Sequence, residues 1–383
     1  MRSAGEVPSG VNPRTTSIRR RVYFVRILFA TGRTHPPDRV EGGAELSIHT
    51  LLDFLTEKGH QCEAVVSMRA GWRRRMARSI HFLSTGHWAG TSDWHNRYQT
   101  YRTARGLVPK LAYQRIAEFQ PQLVLTQLNA SSKIAALALR AGIPTVVMIH
   151  SARLLIDGPI WRPMYRHLKL ISSSAFIADR VRQRLEMQSR VVYPVIRMED
   201  YRVARTVPKF ITFINPVPEK GLELVLSAAA LLPHRSFLLV EGWRLRSAPL
   251  RQLRRRLKCY PNITLIPWNS DMREVYLRTA LLLVPSQGEE AFARVALEAH
   301  ISGIPVIGRD IGGIGEVLRD SGTLLPQDAS ADAWAEAIER LLSDPSLYAA
   351  RSAAASANAN RPEFNPSQLV DRFIAIATEL TAK

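Results

Sequence analysis

Cysteine is nearly absent from this chain of 383 residues, which carries only Cys62 and Cys259. Two thiols form no disulfide framework and no zinc-ligand spacing, so a reducing, cytoplasmic setting is expected. No apolar run approaches the roughly 20 residues that a membrane-crossing helix needs. The opening segment, MRSAGEVPSGVNPRTTSIRRR, has no apolar centre and is not expected to be a secretory signal. Residues 1–20 read instead as a disordered basic extension. Acidic residues are scarce, 33 Asp and Glu against 52 Lys and Arg, for a formal net charge of +19. That excess suits an anionic partner: nucleic acid, an acidic membrane surface or a phosphorylated substrate. No Asp-x-Asp pair, no internal repeat and no nucleic-acid motif occurs in the chain.

Abundant instead are short apolar runs, each ended by Gly or Pro and followed by a helical spacing. Leu281–Val284 reads as a covered strand ended by Pro285 and Ser286. Ala291 to Ile301 has helical spacing, Gly303 stops it, and Pro305-Val306-Ile307 begins the next strand. This is a βαβ unit, and ligands of such sheets sit beyond the carboxyl ends of the strands. Glu290 falls just before that helix and Glu298 two turns inside it. The amides of Ala291, Phe292 and Ala293 would be the free N–H groups of the helix start, favourable to an anion. A carboxylate on either side would accept hydrogen bonds from hydroxyls. A second glycine turn, Gly312-Gly313, follows with Glu316 beyond it.

Glu290-Ala291-Phe292-Ala293 with Glu298-Ala299, then Ser302 to Ile307, then Gly312-Gly313-Ile314-Gly315-Glu316-Val317, resembles the donor-site block of the family 4 retaining glycosyltransferases. The family's two glutamates are separated by seven residues, as Glu290 and Glu298 are. The resemblance implies the GT-B fold, an α/β architecture of two Rossmann-like, doubly wound parallel-sheet domains facing across a cleft. It implies that Glu290 contacts the donor sugar and Glu298 the nucleotide ribose. It further implies a retaining, metal-independent, hexosyl-type transfer from a nucleotide-diphosphate sugar, with no cofactor.

The same grammar runs through the rest of the chain. Val25 to Ala30 and Cys62 to Ser67 read as strands around a helix from Ala44 to Lys58. Gly42-Gly43-Ala44-Glu45 is similar to the family's opening glycine turn, making Gly42, Gly43 and Glu45 candidates for the acceptor side or a phosphate loop. Arg69 to Arg105 interleaves arginines with Trp72, Trp88, Trp94, Tyr98 and Tyr101. Two readings of this stretch stand together: a basic loop and helix whose aromatics cover the domain, or a patch for an acceptor or an anionic membrane surface. Pro121–Gln127 and Thr145–Ile149 read as strands, Ser131–Arg140 as a helix, and His150 stands at a strand's carboxyl end. A lone His is ordinarily structural, but in the family a His here lies near the transferred sugar. Leu170–Ser174 and Val191–Val195 are expected strands, and Pro194 to Pro208 a linker.

The second half opens on the expected strand Phe210–Ile214, then Asn215 to Gly221, then a helix over Leu222–Leu232. Lys220, at a strand-to-helix turn, is a natural phosphate partner. The family typically has an Arg where this chain has Asn215, so the expectation is that Lys220 carries more of the diphosphate charge, or that Arg294 helps. Phe237–Val240 with Gly242 resembles the strand and turn beside the donor base. Ile263–Ile266 is an expected strand, and Met272–Thr279, Asp332–Leu342 and Pro366–Leu380 expected helices. Glycine is the family's common residue where Ala291 and Ala293 stand. The expected division is 21–207 for an acceptor-side domain, 208–365 for a nucleotide-sugar domain and 366–383 for a helix returning to the first. The expected partners are a nucleotide sugar and a glycan or lipid-linked acceptor, with no nucleic acid and with peripheral attachment to the inner membrane face through Arg69 to Arg105. Rival readings are a nucleotide-sugar hydrolase or epimerase on the same fold, and a non-catalytic protein binding anionic membrane or nucleic acid.

Overall fold

The computed structural model describes residues 25–36, 42–68, 91–94, 96–151, 166–204, 208–242 and 247–381. Two sheets organise them. The first takes β1 (Arg26–Thr31), β2 (Gln61–Ser67), β3 (Thr91–Asp93), β4 (Gln99–Thr103), β5 (Leu123–Gln127), β6 (Thr145–Ile149), β7 (Leu168–Ser172) and β8 (Ser189–Val191). Their order across the sheet is β3-β4-β2-β1-β5-β6-β7-β8, parallel except for the β3–β4 pair. Its helices are α1 (Gly43–Glu57), α2 (Val108–Phe119), α3 (Ser131–Arg140) and α4 (Ala175–Leu185).

The second sheet takes β9 (Phe210–Ile214), β10 (Phe237–Val240), β11 (Ile263–Ile266), β12 (Thr279–Val284), β13 (Val306–Arg309) and β14 (Thr323–Leu325), in the order β11-β10-β9-β12-β13-β14, all parallel. Around it lie α5 (Leu222–Leu231), α6 (Ser247–Leu257), α7 (Arg273–Tyr276), α8 (Arg294–Ile301), α9 (Ile314–Leu318), α10 (Ala331–Ser343) and α11 (Pro345–Ala359). The last helix, α12 (Pro366–Thr381), leaves the second sheet and packs Leu369, Val370, Phe373, Ile376 and Leu380 into the core under β1.

The period-two alternation of strands explains why these runs are apolar on both sides. Phe237 and Leu239 face α5 and α10, with Trp334 and Ile338, while Leu238 and Val240 face α8 and Phe364. In the first sheet Phe29 faces α1 and α12, while Leu28 and Ala30 face α2 and α3. Both faces must therefore be covered, which gives a doubly wound fold.

Several elements differ from the sequence expectation. Of Val191–Val195, Val191 alone pairs in the ladder, at the end of β8. The helix expected over Met272–Thr279 shrinks to α7, because Thr279 already belongs to β12. The helix expected from Ala291 begins at Arg294, because Ala293 has φ 51, a left-handed conformation that cannot continue a right-handed turn. Most of Arg69 to Arg105 lies outside the described residues, and the part described is not loop and helix alone. It holds β3 and β4, with Tyr98 buried. Helices α2, α4, α6 and α11 had no counterpart in the sequence reading.

Candidate active site

Both sheets reverse their strand order next to their first strand, between β1 and β5 and between β9 and β12. Such switch points open a crevice at the strands' carboxyl ends, where loops diverge to opposite faces. The two crevices meet in one cleft of about 1000 Å³. From the first sheet it is lined by Gly42, Gly43 and Glu45 beyond β1, and by His150 beyond β6. From the second it is lined by Asn215 and Lys220 beyond β9, Gly242 beyond β10, and Glu290 to Arg294 with Glu298 beyond β12. All thirteen candidate residues thus border a single space.

Lys220 and Glu290 come from the two loops that part at the second switch point. Lys220 Nζ donates to Glu290 Oε2 at 2.5 Å, and Ser286 Oγ donates to the same oxygen at 3.0 Å. Both side chains stay about one-fifth exposed, on the cleft wall. The turn carrying Lys220 closes at Gly221, whose φ of 93° is left-handed and whose missing Cβ would sit 2.2 Å from the Pro285 carbonyl. Glu290's backbone is gripped from behind. The Gly313 amide donates to its carbonyl at 2.7 Å, and a Cβ on Gly312 would lie 2.3 Å from that carbonyl oxygen. Only glycine fits at that approach.

Glu298 borders the cleft but is nearly covered. Tyr276 donates to its Oε2 at 2.8 Å and Arg294 Nε to its Oε1 at 2.6 Å. Each carboxylate oxygen retains acceptor capacity beyond one bond. Burial first, and the neighbouring Glu298 charge second, hold the Tyr276 phenol well above its ordinary pKa, so it stays a donor.

Arg294 is a correction. The sequence reading made it a helper for diphosphate charge. The guanidinium is instead engaged inside the protein: besides Glu298, it donates to Ser47 Oγ at 2.7 Å, Val195 O at 3.2 Å and Tyr201 OH at 2.9 Å. It ties α8 to α1 and to the segment between the sheets, a structural task. The helix-start amides are corrected too. With Ala293 as the N-cap of α8, the free N–H groups belong to Arg294 and Val295, while Ala291 and Phe292 sit in the loop ahead. Ala291 packs on a cluster of the first sheet's domain that holds Ile149 and Ile177. Phe292 packs on Tyr193, with ring centroids 5.3 Å apart. Asn215 also has positive φ, 63°, and its side chain fills the space beside Gly242.

On the facing side, His150 borders the cleft, and its buried Nε2 has no hydrogen-bond partner among the described residues. Burial lowers its pKa to about 4, so the ring is neutral near pH 7. Ser173, one strand over, likewise has a buried Oγ without a partner among the described residues. Glu45 is fully buried and paired with Arg33 Nε at 3.0 Å, so its carboxylate anchors the glycine turn. Sequence reasoning missed Ser286, Tyr276, Tyr201 and Ser173. Only Ser286 carried a local signal, four residues before Glu290. Among the described residues no group of three or more His, Cys, Asp or Glu could hold a metal ion, and no helix is long and apolar enough to cross a membrane.

Comparison with known proteins bears on the family and the fold. Residues 41–200 match the family described as Glycosyltransferase Family 4, and residues 199–358 that described as Glycosyl transferases group 1. An exopolysaccharide phosphotransferase of Streptomyces coelicolor is 32% identical over 44% of this chain and 18% of its own length. A D-inositol 3-phosphate glycosyltransferase of Rhodococcus erythropolis is 34% identical over 39% of this chain and 37% of its own. The matched stretches thus span well under half of these curated relatives. Solved structures match nearly end to end. A sucrose-phosphate synthase of Thermosynechococcus elongatus has a TM-score of 0.75 at 18% identity, covering 94% of this chain and 100% of that one. The Anabaena protein HepE, solved with UDP and glucose, has a TM-score of 0.72 at 16% identity, covering 92% and 99%. At such identities these likenesses speak for the fold.

Proposed function

The chain belongs to the family 4 glycosyltransferases of GT-B fold, and on that premise we propose that it moves a hexosyl group from a nucleotide-diphosphate sugar to a glycan or lipid-linked acceptor, with retention and without a metal. The observation that carries this reading is the Lys220–Glu290 pair at the switch point, facing the neutral His150 across the cleft. Lys220 has three N–H donors, so it can hold Glu290 and a phosphate oxygen together. With the free amides of Arg294 and Val295 it gives fixed positive charge where the departing diphosphate becomes more negative.

The step balances without a protein base. The bond from the anomeric carbon to the diphosphate oxygen breaks, and the acceptor hydroxyl oxygen bonds that carbon on the same face. The hydroxyl proton passes to the leaving phosphate. Glu290 holds sugar hydroxyls, Glu298 accepts from the ribose, and His150 offers its Nε2 to a sugar hydroxyl.

The binding of UDP and glucose by HepE supports a nucleotide sugar as donor. The inositol-phosphate name of the Rhodococcus relative and the exopolysaccharide name of the Streptomyces one keep hydroxyl-rich acceptors in view. The proposal places the enzyme in the cytoplasm against an anionic membrane. Trp94, 69% exposed, and the exposed Arg97 support such a surface, whereas Arg102 is buried against Asp93 and takes no part. A thermal-shift screen of UDP-, GDP- and ADP-sugars, followed by product analysis with and without acceptor, tests the reading. Sugar release independent of acceptor would favour a hydrolase. Absence of vesicle binding at low salt would end the membrane part.

A further inference from the structure

Glu316 belongs to the second sheet's domain, yet its carboxylate lies on the first. Its oxygens accept the Ala175 amide at 2.8 and 2.9 Å and the Phe176 amide at 3.3 Å, and Tyr193 donates to Oε1 at 2.7 Å. Ala175 and Phe176 are the first two residues of α4, an eleven-residue helix whose Ser174 N-cap already serves Ile177. First-turn amides have no partner within their own helix, and a carboxylate there also meets the positive end of the helix dipole.

The loop that carries Glu290 is fastened at the same joint. Gly313, three residues before Glu316, donates to the Glu290 carbonyl. Glu289 pairs with Arg180 of α4. Ala291 packs against Ile177 and Ile149 of the first sheet's domain. Phe292 packs on Tyr193, whose hydroxyl holds Glu316. Ser173 lies just ahead of the Ser174 N-cap of α4, and β7 is hydrogen-bonded to β6, the strand that His150 follows. A chain of direct contacts therefore runs from Glu316 both to the Glu290 backbone and to the strand ends that present His150 and Ser173.

We propose that Glu316 is a positioning residue that sets Glu290 in register with His150 across the cleft, by capping α4 with a carboxylate borrowed from the other domain. The role rests on the glycosyl-transfer reading above. Lys220 and Glu298 reach the cleft without passing through this joint, so donor affinity does not depend on it. Alignment of the two sides does, and a misplacement near 1 Å costs on the order of a hundredfold in rate.

The test compares wild type with Glu316→Ala, Glu316→Gln and Tyr193→Phe, using the donor found in the thermal-shift screen. For Glu316→Ala the expected kcat loss is about 10- to 100-fold, while nucleotide-sugar Kd changes by less than about threefold. Glu316→Gln keeps one acceptor oxygen and is expected to recover part of the loss, and Tyr193→Phe to lose less than Glu316→Ala. Hydrogen exchange of the free protein gives a readout independent of turnover. The Ala175 and Phe176 amides should exchange faster in Glu316→Ala while the later turns of α4 keep their protection. Unchanged kcat, or kcat and donor affinity falling together with no recovery by Gln, overturns the role. A wild type that transfers no sugar overturns the glycosyl-transfer reading and the positioning role with it, and the exchange data then still decide whether the joint exists.

Discussion

Lys220 Nζ and Glu290 Oε2 lie 2.5 Å apart although seventy positions separate them in the chain. They meet because β9 and β12 are adjacent strands whose following loops part in opposite directions. The first prediction concerns the carboxylate. Glu290→Gln keeps the shape and removes the charge, and turnover should fall by roughly 10²- to 10³-fold, the usual cost of losing one preorganised polar contact to the reacting sugar. Nucleotide affinity, measured by calorimetry, should stay within a few-fold. Wild-type turnover in this variant would remove Glu290 from the chemistry.

Arg294→Ala separates a structural guanidinium from a phosphate ligand. It leaves the Glu298 carboxylate buried without its ion-pair partner, and breaking a buried pair costs about 3–5 kcal/mol. Urea unfolding should show that loss in the midpoint. Arg294→Lys should recover little, since an ammonium cannot reach Glu298, Ser47 and Tyr201 together. A stable variant that had lost only nucleotide affinity would restore the phosphate role.

Ala293 has φ 51, a conformation that costs a residue with a Cβ on the order of 1 kcal/mol. Ala293→Gly should therefore raise the unfolding free energy by up to about 1 kcal/mol, partly offset by the greater freedom of glycine in the unfolded chain. A lower denaturation midpoint would show that the methyl contributes more by packing than it costs by strain.

Acid stability follows from two buried imidazoles. Burial lowers the pKa of His150 to about 4, and burial followed by the charge of Arg361 lowers that of His300 to about 3. The unfolded chain takes up these protons near pH 6.5 and the folded protein does not. The stabilising contribution is therefore complete above about pH 6.5 and is lost as pH falls through the folded values. His300→Gln, away from the cleft, should flatten the decline in denaturation midpoint between about pH 6.5 and 4. An unaltered slope would mean that His300 titrates normally.

The sequence by itself determined the fold class. Strands covered on both faces must be apolar throughout, so Phe210–Ile214 and Thr145–Ile149 could be read to the residue. It also gave the two glutamates and the two glycine turns, because backbone approach and helix starts are local requirements. Helix α2 was not read from the sequence, although Pro109 stands at its start and Val108, Leu111, Ala112 and Ile116 share one buried face. Neither was helix α4, since little besides Ile177 and Val181 is buried in an otherwise charged segment. Only the tertiary structure decided which charges are available to a ligand. Arg294 and Lys220 are both cations next to a helix start, yet one is enclosed by Ser47, Val195, Tyr201 and Glu298 while the other stays on the cleft wall. Glu316 reads as a helix residue, and its partners Ala175, Phe176 and Tyr193 are more than a hundred positions away. Periodicity and turn chemistry act over a few residues. Desolvation and ion pairing depend on whatever the folded chain brings within hydrogen-bond reach, and no local pattern encodes that.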